Sequence, residues 1–214
     1  MHTYILTIVL LLFTSSSFAQ RHRLAFHTEF GVFKVFLYDF TPAHRDLFLR
    51  AIETDVYKDA LFNRIIENFV VQGGEHDIDI EKREAIDPEK KKPRLAPEFD
   101  ARAYHKLGAL GAGRDNNAAK ASFLNQIYFV VGKPISDAEL TALEQKKGII
   151  YTEQQRNSYL TNGGQPRLDY DFTVFGEVYE GLEVLLDISK VKTDTADFPL
   201  KQIHFYVEEI AHAK

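Results

Sequence analysis

The sequence predicts a mainly β domain, an antiparallel barrel or sandwich interrupted once by an inserted pair of helices. Three observations predict it. Short runs that alternate apolar with polar residues, or are rich in β-branched and aromatic ones, recur along the chain between turn signals. Helical spacing is confined to a few stretches, two of them adjacent and each opened by a capping box. Hydrophobic residues make up 45% of 214, with 17 Phe, 10 Tyr and no Trp, which suffices for one domain with an aromatic core.

Residues 5–13 form an apolar run too short to cross a bilayer, and a Ser-rich stretch leads from it to Ser17-Phe18-Ala19, a small-x-small cleavage pattern. This predicts a secretory signal peptide over 1–19, although the start offers only its amino group and His2 where Lys or Arg is usual. The remaining 20–214 is then one exported domain, periplasmic or secreted, with no membrane span. Runs 23–27 and 32–37 around Thr28-Glu29-Phe30-Gly31 read as a hairpin. Thr41-Pro42 opens a helix with Leu47, Phe48, Ala51 and Ile52 at helical spacing. Residues 61–71 are β-rich and end at Gly73-Gly74, while 77–97, with Lys90-Lys91-Lys92, is charged and reads as a loop. Two buried strands, 107–110 and 126–131, flank the polar Gly113-Arg114-Asp115-Asn116-Asn117. Ser136-x-x-Glu139 and Thr152-x-x-Gln155 fit the capping box, and Gly148 and Asn162-Gly163-Gly164 supply stops, so a helical hairpin is expected over about 134–164. A strand at 172–178, a helix at 182–188 and a closing strand at 203–210 complete the chain.

Several function classes fall away. A net charge of -5 and the lack of a basic cluster interleaved with aromatics leave no footprint for nucleic acid. Without cysteine there is no disulfide, thiolate nucleophile or cysteine-bound zinc. The eight histidines show neither an H-x-x-x-H spacing nor a matched carboxylate, so no metal or other cofactor is expected. Gly108-x-x-Gly111-x-Gly113 lacks the Lys-Ser/Thr and the helix of a phosphate loop and reads as tight strand packing. No G-x-S-x-G elbow occurs. Arg64 and Gln72 remain, in a strand-like run with no nucleophile beside them. Strict alternation would put Phe62, Arg64, Ile66, Asn68, Val70 and Gln72 on one face, with a bulge or turn near Glu67-Asn68 needed to bring Phe69 to it.

Residues 62–74, FNRIIENFVVQGG, resemble the F-H-R-x-I-x-x-F-x-x-Q-G-G signature of cyclophilin-type peptidyl-prolyl isomerases. Further pieces follow in the family's order. Thr28-Glu29-Phe30-Gly31 resembles its first hairpin and Pro97-Glu98-Phe99 the segment before its central strands. Residues 107–114, LGALGAGR, are similar to its H-x-x-G-x-x-x-M-A-R/N, residues 125–129 to its S-Q-F-F/Y-I, and Leu168-Asp169 with 172–178 to its L-D-x-x-x-T-V-F-G-x-V. The resemblance spans 23–210 apart from the hairpin. It implies an eight-stranded antiparallel closed barrel capped by two helices, Pro42–Glu53 and 182–189. It also implies isomerisation of X-Pro bonds without a cofactor. Arg64 and Gln72 are then the catalytic pair, Phe69, Val70, Tyr128, Leu168 and Phe172 the apolar proline pocket, and Gly113, Arg114 and Gln126 the groove for preceding residues. The implied partners are proline-containing polypeptides, and the expected state is a monomer. The chain departs from the family at Asn63, where the signature has His, at Asn125 and Ile127, and at Arg167, where many members have Trp or His. An alternative that these departures allow is a proline-peptide-binding module with weak turnover.

Overall fold

A computed structural model of the chain describes residues 22–90 and 92–210, so the expected signal peptide lies outside the described residues. Strands β1 (Arg23–Thr28) and β2 (Gly31–Leu37) form the anticipated hairpin, its turn held by the Thr28 hydroxyl, which accepts from Phe30 N–H and donates to Gly31 O. Leu24, Phe26, Phe33, Val35 and Leu37 point inward and are fully buried. Helix α1 (Pro42–Glu53) has proline in its first turn, where a missing N–H costs nothing. Thr41 makes no side-chain cap; the Glu98 carboxylate reaches in from a distant loop and accepts from Ala43 and His44 N–H at 3.0 and 2.9 Å. Phe48 and Ala51 are buried in the barrel core.

The run at 61–71 is two strands. β3 (Ala60–Ile66) turns through Asn68, at φ 60°, into β4 (Val70–Gly74). The single-face alternation expected from Phe62 to Gln72 is broken by a bulge. Phe62 pairs with Gly73 and Arg64 with the next residue, Gln72, leaving Asn63 as the extra residue on β3. Phe62 and Ile65 can therefore both enter the core, while Arg64 remains partly exposed. The charged stretch expected as a loop at 77–97 begins with a helix, α2 (Asp77–Ala85). His76 caps it by accepting from Ile78 N–H, acids occupy the first turn and bases the last, and Ile80 is its one buried residue.

β5 (Ala109–Ala112) starts two residues later than the sequence suggested, and β6 (Gln126–Val130) follows. Helices α3 (Asp137–Lys147) and α4 (Glu153–Thr161) make both capping boxes, and Gly148 ends α3 in the left-handed conformation at φ 65°. Leu140, Tyr151 and Tyr159 give this hairpin a small core of its own. β7 (Val174–Glu180), α5 (Leu182–Ile188) and β8 (Ile203–Glu209) complete the described chain.

All strand pairs are antiparallel and the barrel closes in the order β1-β2-β7-β5-β6-β4-β3-β8, with β8 pairing both β1 and β3. Aromatic rings fill the interior. Phe26 and Phe33 stack at 4.9 Å, Phe129 meets each edge-on at 5.1 Å, and Phe62 stacks on Phe205 at 4.4 Å. The lumen is a packed core, so a ligand site must lie on the outer face.

Candidate active site

A line of cross-strand neighbours runs over that outer face. Register sets Arg64 of β3 beside Gln72 of β4, Gln72 beside Tyr128 of β6, and Tyr128 beside Gly111 of β5. Alternation then sends Val70 and Gln72 outward while Val71 faces in, and sends Gln126, Tyr128 and Val130 outward while Ile127 and Phe129 face in. The glycines that sounded like a phosphate loop make room for these side chains. A Cβ at Gly111 would strike the Tyr128 ring, and one at Gly113 would strike the Gln126 amide.

Together these residues enclose a cavity of about 150 Å³. Arg64 and Gln72 line it, as do Phe69 and Val70, Gly113 and Arg114, Gln126 and Tyr128, and Leu168 with Phe172. The structure thus gathers every site residue named from the sequence. It adds Asp77, whose approach depends on the unforeseen helix α2. Roomier hollows, of about 870, 620, 620 and 440 Å³, lie elsewhere on the surface, and none of these has Arg64 in its lining.

Most of the polar side chains are tethered, and Gln72 is the exception. The Arg64 Nη2 lies 3.4 Å from Asp197 Oδ2, with the two side chains 31% and 38% exposed, a loose and partly hydrated pair. Gln72 is buried and its Nε2 has no hydrogen-bond partner. Phe172 stands edge-on to Tyr128 at 6.0 Å, and the Arg114 guanidinium lies 4.6 Å over Phe172. Arg114 is committed to the loop backbone, donating to Asp171 O at 2.6 Å and Asp115 O at 2.7 Å. Arg167, the departure from Trp or His, lies 4.3 Å over the Phe69 ring. Gln126 donates to Asp77 Oδ1 at 2.6 Å and to Glu75 O at 3.1 Å. Asn63 donates to Gly74 O at 2.7 Å and so ties β3 to the end of β4.

Behind the pocket is a buried polar group that sequence reasoning missed. Tyr128 OH is 2.7 Å from His105 Nε2, and His105 Nδ1 is 2.6 Å from Asp169 Oδ1. Burial, and secondarily the Asp169 charge, push the Tyr128 phenol well above its ordinary range, so it keeps its proton. The available signal was the position of His105 just before the Gly108 stretch and of Asp169 within Leu-Asp. Among the described residues, no group of three or more His, Asp or Glu side chains is arranged to hold a metal ion.

The site thus offers a guanidinium and an unpartnered amide beside a ring-walled pocket, with no Ser, Thr, Lys or His in its lining. The model of the cyclophilin type peptidyl-prolyl cis-trans isomerase family matches residues 23–207. A provisionally named peptidyl-prolyl cis-trans isomerase of Staphylococcus saprophyticus is 30% identical over 183 residues, covering 85% of this chain and 87% of the relative. Its counterpart in Staphylococcus haemolyticus is 28% identical over the same shares. A crystal structure of a Cryptosporidium parvum cyclophilin type peptidyl-prolyl cis-trans isomerase superposes with a TM-score of 0.61 at 18% identity, covering 90% of this chain and 99% of that one. The same protein in the presence of the dipeptide Ala-Pro gives a TM-score of 0.62 at 17% identity, covering 89% and 99%. On a match that runs from the first strand into the last, this chain belongs to the cyclophilin-type peptidyl-prolyl cis-trans isomerase family.

Proposed function

We propose that the chain speeds rotation about X-Pro bonds by donating a hydrogen bond from Arg64 to the twisted amide. The planar amide resists rotation by about 18–20 kcal/mol, because conjugation is lost at the top of the barrier. There the prolyl nitrogen becomes pyramidal and its lone pair can accept a hydrogen bond that neither planar isomer can. A donor aimed at that nitrogen stabilises the twisted state selectively, which is the condition for catalysis. No bond is made or broken, and no nucleophile is required.

An acceleration on the order of 10⁴ to 10⁵ requires roughly 5–7 kcal/mol of selective stabilisation. One charge-assisted hydrogen bond contributes about 1.5–3 kcal/mol, so orientation must supply the remainder. Phe69, Tyr128, Leu168 and Phe172 can grip the proline ring while Val70 forms the apolar floor. Gln72 donates to the substrate backbone, and Gly113, Arg114 and Gln126 receive the residues before proline. The observation that carries this reading is the convergence of Arg64, Gln72 and the rings on one cavity. The loose tether to Asp197 is compatible with the role, since Arg64 can leave a half-hydrated partner at little cost.

Arg64→Ala is expected to lower kcat/KM in an X-Pro peptide assay by about tenfold or more with the barrel intact. An unchanged value overturns the role of Arg64, and peptide binding without acceleration by the unaltered protein selects the binding-module alternative. We further propose that residues 1–19 are a signal peptide and that the mature enzyme works as a monomer on folding chains in a periplasm or outside the cell. The support is the apolar run followed by Ser17-Phe18-Ala19. N-terminal sequencing of the exported protein should then begin at Gln20, and a sequence beginning at Met1 refutes it.

A further inference from the structure

The buried group behind Tyr128 continues into the helical hairpin. Asp169 Oδ1 accepts from His105 N–H at 2.8 Å and from Nδ1 at 2.6 Å; Oδ2 accepts from Tyr151 OH at 2.7 Å and from Tyr159 OH at 2.6 Å. All five residues of this chain of contacts are buried. An unpaired carboxylate there would be costly, and these donors satisfy both its oxygens.

The donors also give the path a direction. For a neutral imidazole with its Nδ1–H on Asp169, Nε2 is left as an acceptor, and the Tyr128 phenol must be the donor. Its hydroxyl therefore has one favourable orientation, away from the proline pocket, and its ring is pinned at the tip as well as at the backbone. Tyr151 lies between α3 and α4 and Tyr159 in α4, so two side chains from outside the barrel end on the anion that fixes a pocket wall. Lys147, in the last turn of α3, adds bonds to Asp169 O at 2.7 Å and Asp171 Oδ2 at 2.6 Å. Those residues lie between Leu168 and Phe172, both of the pocket.

We propose that the α3–α4 hairpin is a positioning element for the isomerase site, with Tyr151 and Tyr159 fixing the Tyr128 ring through Asp169 and His105. It rests on the proline-pocket assignment made above. Losing the two phenols leaves Asp169 short of donors in a dry site, so His105 turns to compensate and Tyr128 loses its anchor. A ring wall displaced by a fraction of an ångström grips the proline less well at the twisted geometry.

The test is a cycle of variants. Tyr151→Phe/Tyr159→Phe in the full chain is expected to lower kcat/KM by about fivefold, chiefly in kcat, because remote positioning acts on the twisted state. In a Tyr128→Phe background, where the path no longer reaches the pocket, the same pair is expected to change kcat/KM by less than about twofold relative to Tyr128→Phe alone. An equal loss in both backgrounds means general loosening and overturns the proposal, as does a folded double variant with full activity. Should the double variant unfold, Tyr159→Phe alone is carried through the same cycle. NMR of the Tyr128 ring gives a readout independent of turnover. Faster ring flipping in the phenylalanine variants supports the proposal and an unaltered ring sinks it. Wild type without acceleration would instead refute the isomerase assignment, leaving the ring measurement to decide the anchor.

Discussion

Arg64 is brought out of the barrel wall by one extra residue. Without the bulge at Asn63, alternation would send Arg64 and Phe62 to the same face, and either a cation would enter the core or a phenylalanine would leave it. Gln72 shows the complementary situation, a buried donor without an acceptor, which in stability terms costs about 1–3 kcal/mol. Gln72→Leu, of similar shape, should accordingly leave the urea-unfolding free energy unchanged or raise it by about 1 kcal/mol, while kcat/KM falls; a clear loss of stability would show that the amide is satisfied in the fold. Residue identity at the site was legible because Arg64, Phe69 and Gln72 stand at the family's own spacing. The bulge was not, since Phe62-Asn63-Arg64 reads equally well as plain alternation until the partner strand fixes the register. Asp77 escaped for the same kind of reason, being brought to Gln126 by an element the sequence did not announce.

Among the elements, α3 and α4 were legible because their ends are written in short range. Ser136 and Glu139 exchange bonds, as do Thr152 and Gln155, and these contacts need no tertiary partner. Ser136→Ala should cost about 1 kcal/mol in thermal or urea unfolding and shift no pocket residue; an effect near zero would mean that α3 is held by packing alone. Helix α2 was illegible because its apolar residues, Ile78 and Ile80, fall two apart and only Ile80 is buried. Its charges satisfy its own ends and the neighbouring loops, as in the Arg83 pair with Glu75, which in sequence looks like a solvated linker. β5 was misplaced by two residues because Gly108, at φ 80°, and the glycines after it blur the start of a strand whose every residue is buried.

At the scale of the whole molecule, the cap of α1 couples distant segments to pH. His44 is buried between Glu98, at 2.7 Å, and Ser122, at 3.1 Å. Burial lowers its pKa below the ordinary 6.5 although Glu98 opposes the shift. The unfolded chain therefore takes up this proton first, so the stability of the fold falls as pH drops below 6.5. Burial would raise Glu98, but the bonds from Ala43 and His44 outweigh it and hold the carboxyl below 4.5, extending the loss into more acidic solution. The melting temperature should decline from about pH 6.5 downward. His44→Gln should flatten that part of the curve, and a parallel curve would assign the titration to another group. The barrel was foreseen only as one of two β architectures until the ordered motifs were set beside a known family, because strand count and alternation do not say which strands are neighbours.

That neighbour list carries one more consequence. The strand completing the ring is the last one described, and both of its partners, β1 and β3, belong to the first third of the sequence. While such a polypeptide is being synthesised, its early strands must wait with unfilled hydrogen-bonding rims, and the ring can close only after β8 emerges. A chain whose ring closes on its last described strand is thus a late folder, its early rims unpaired until that segment arrives.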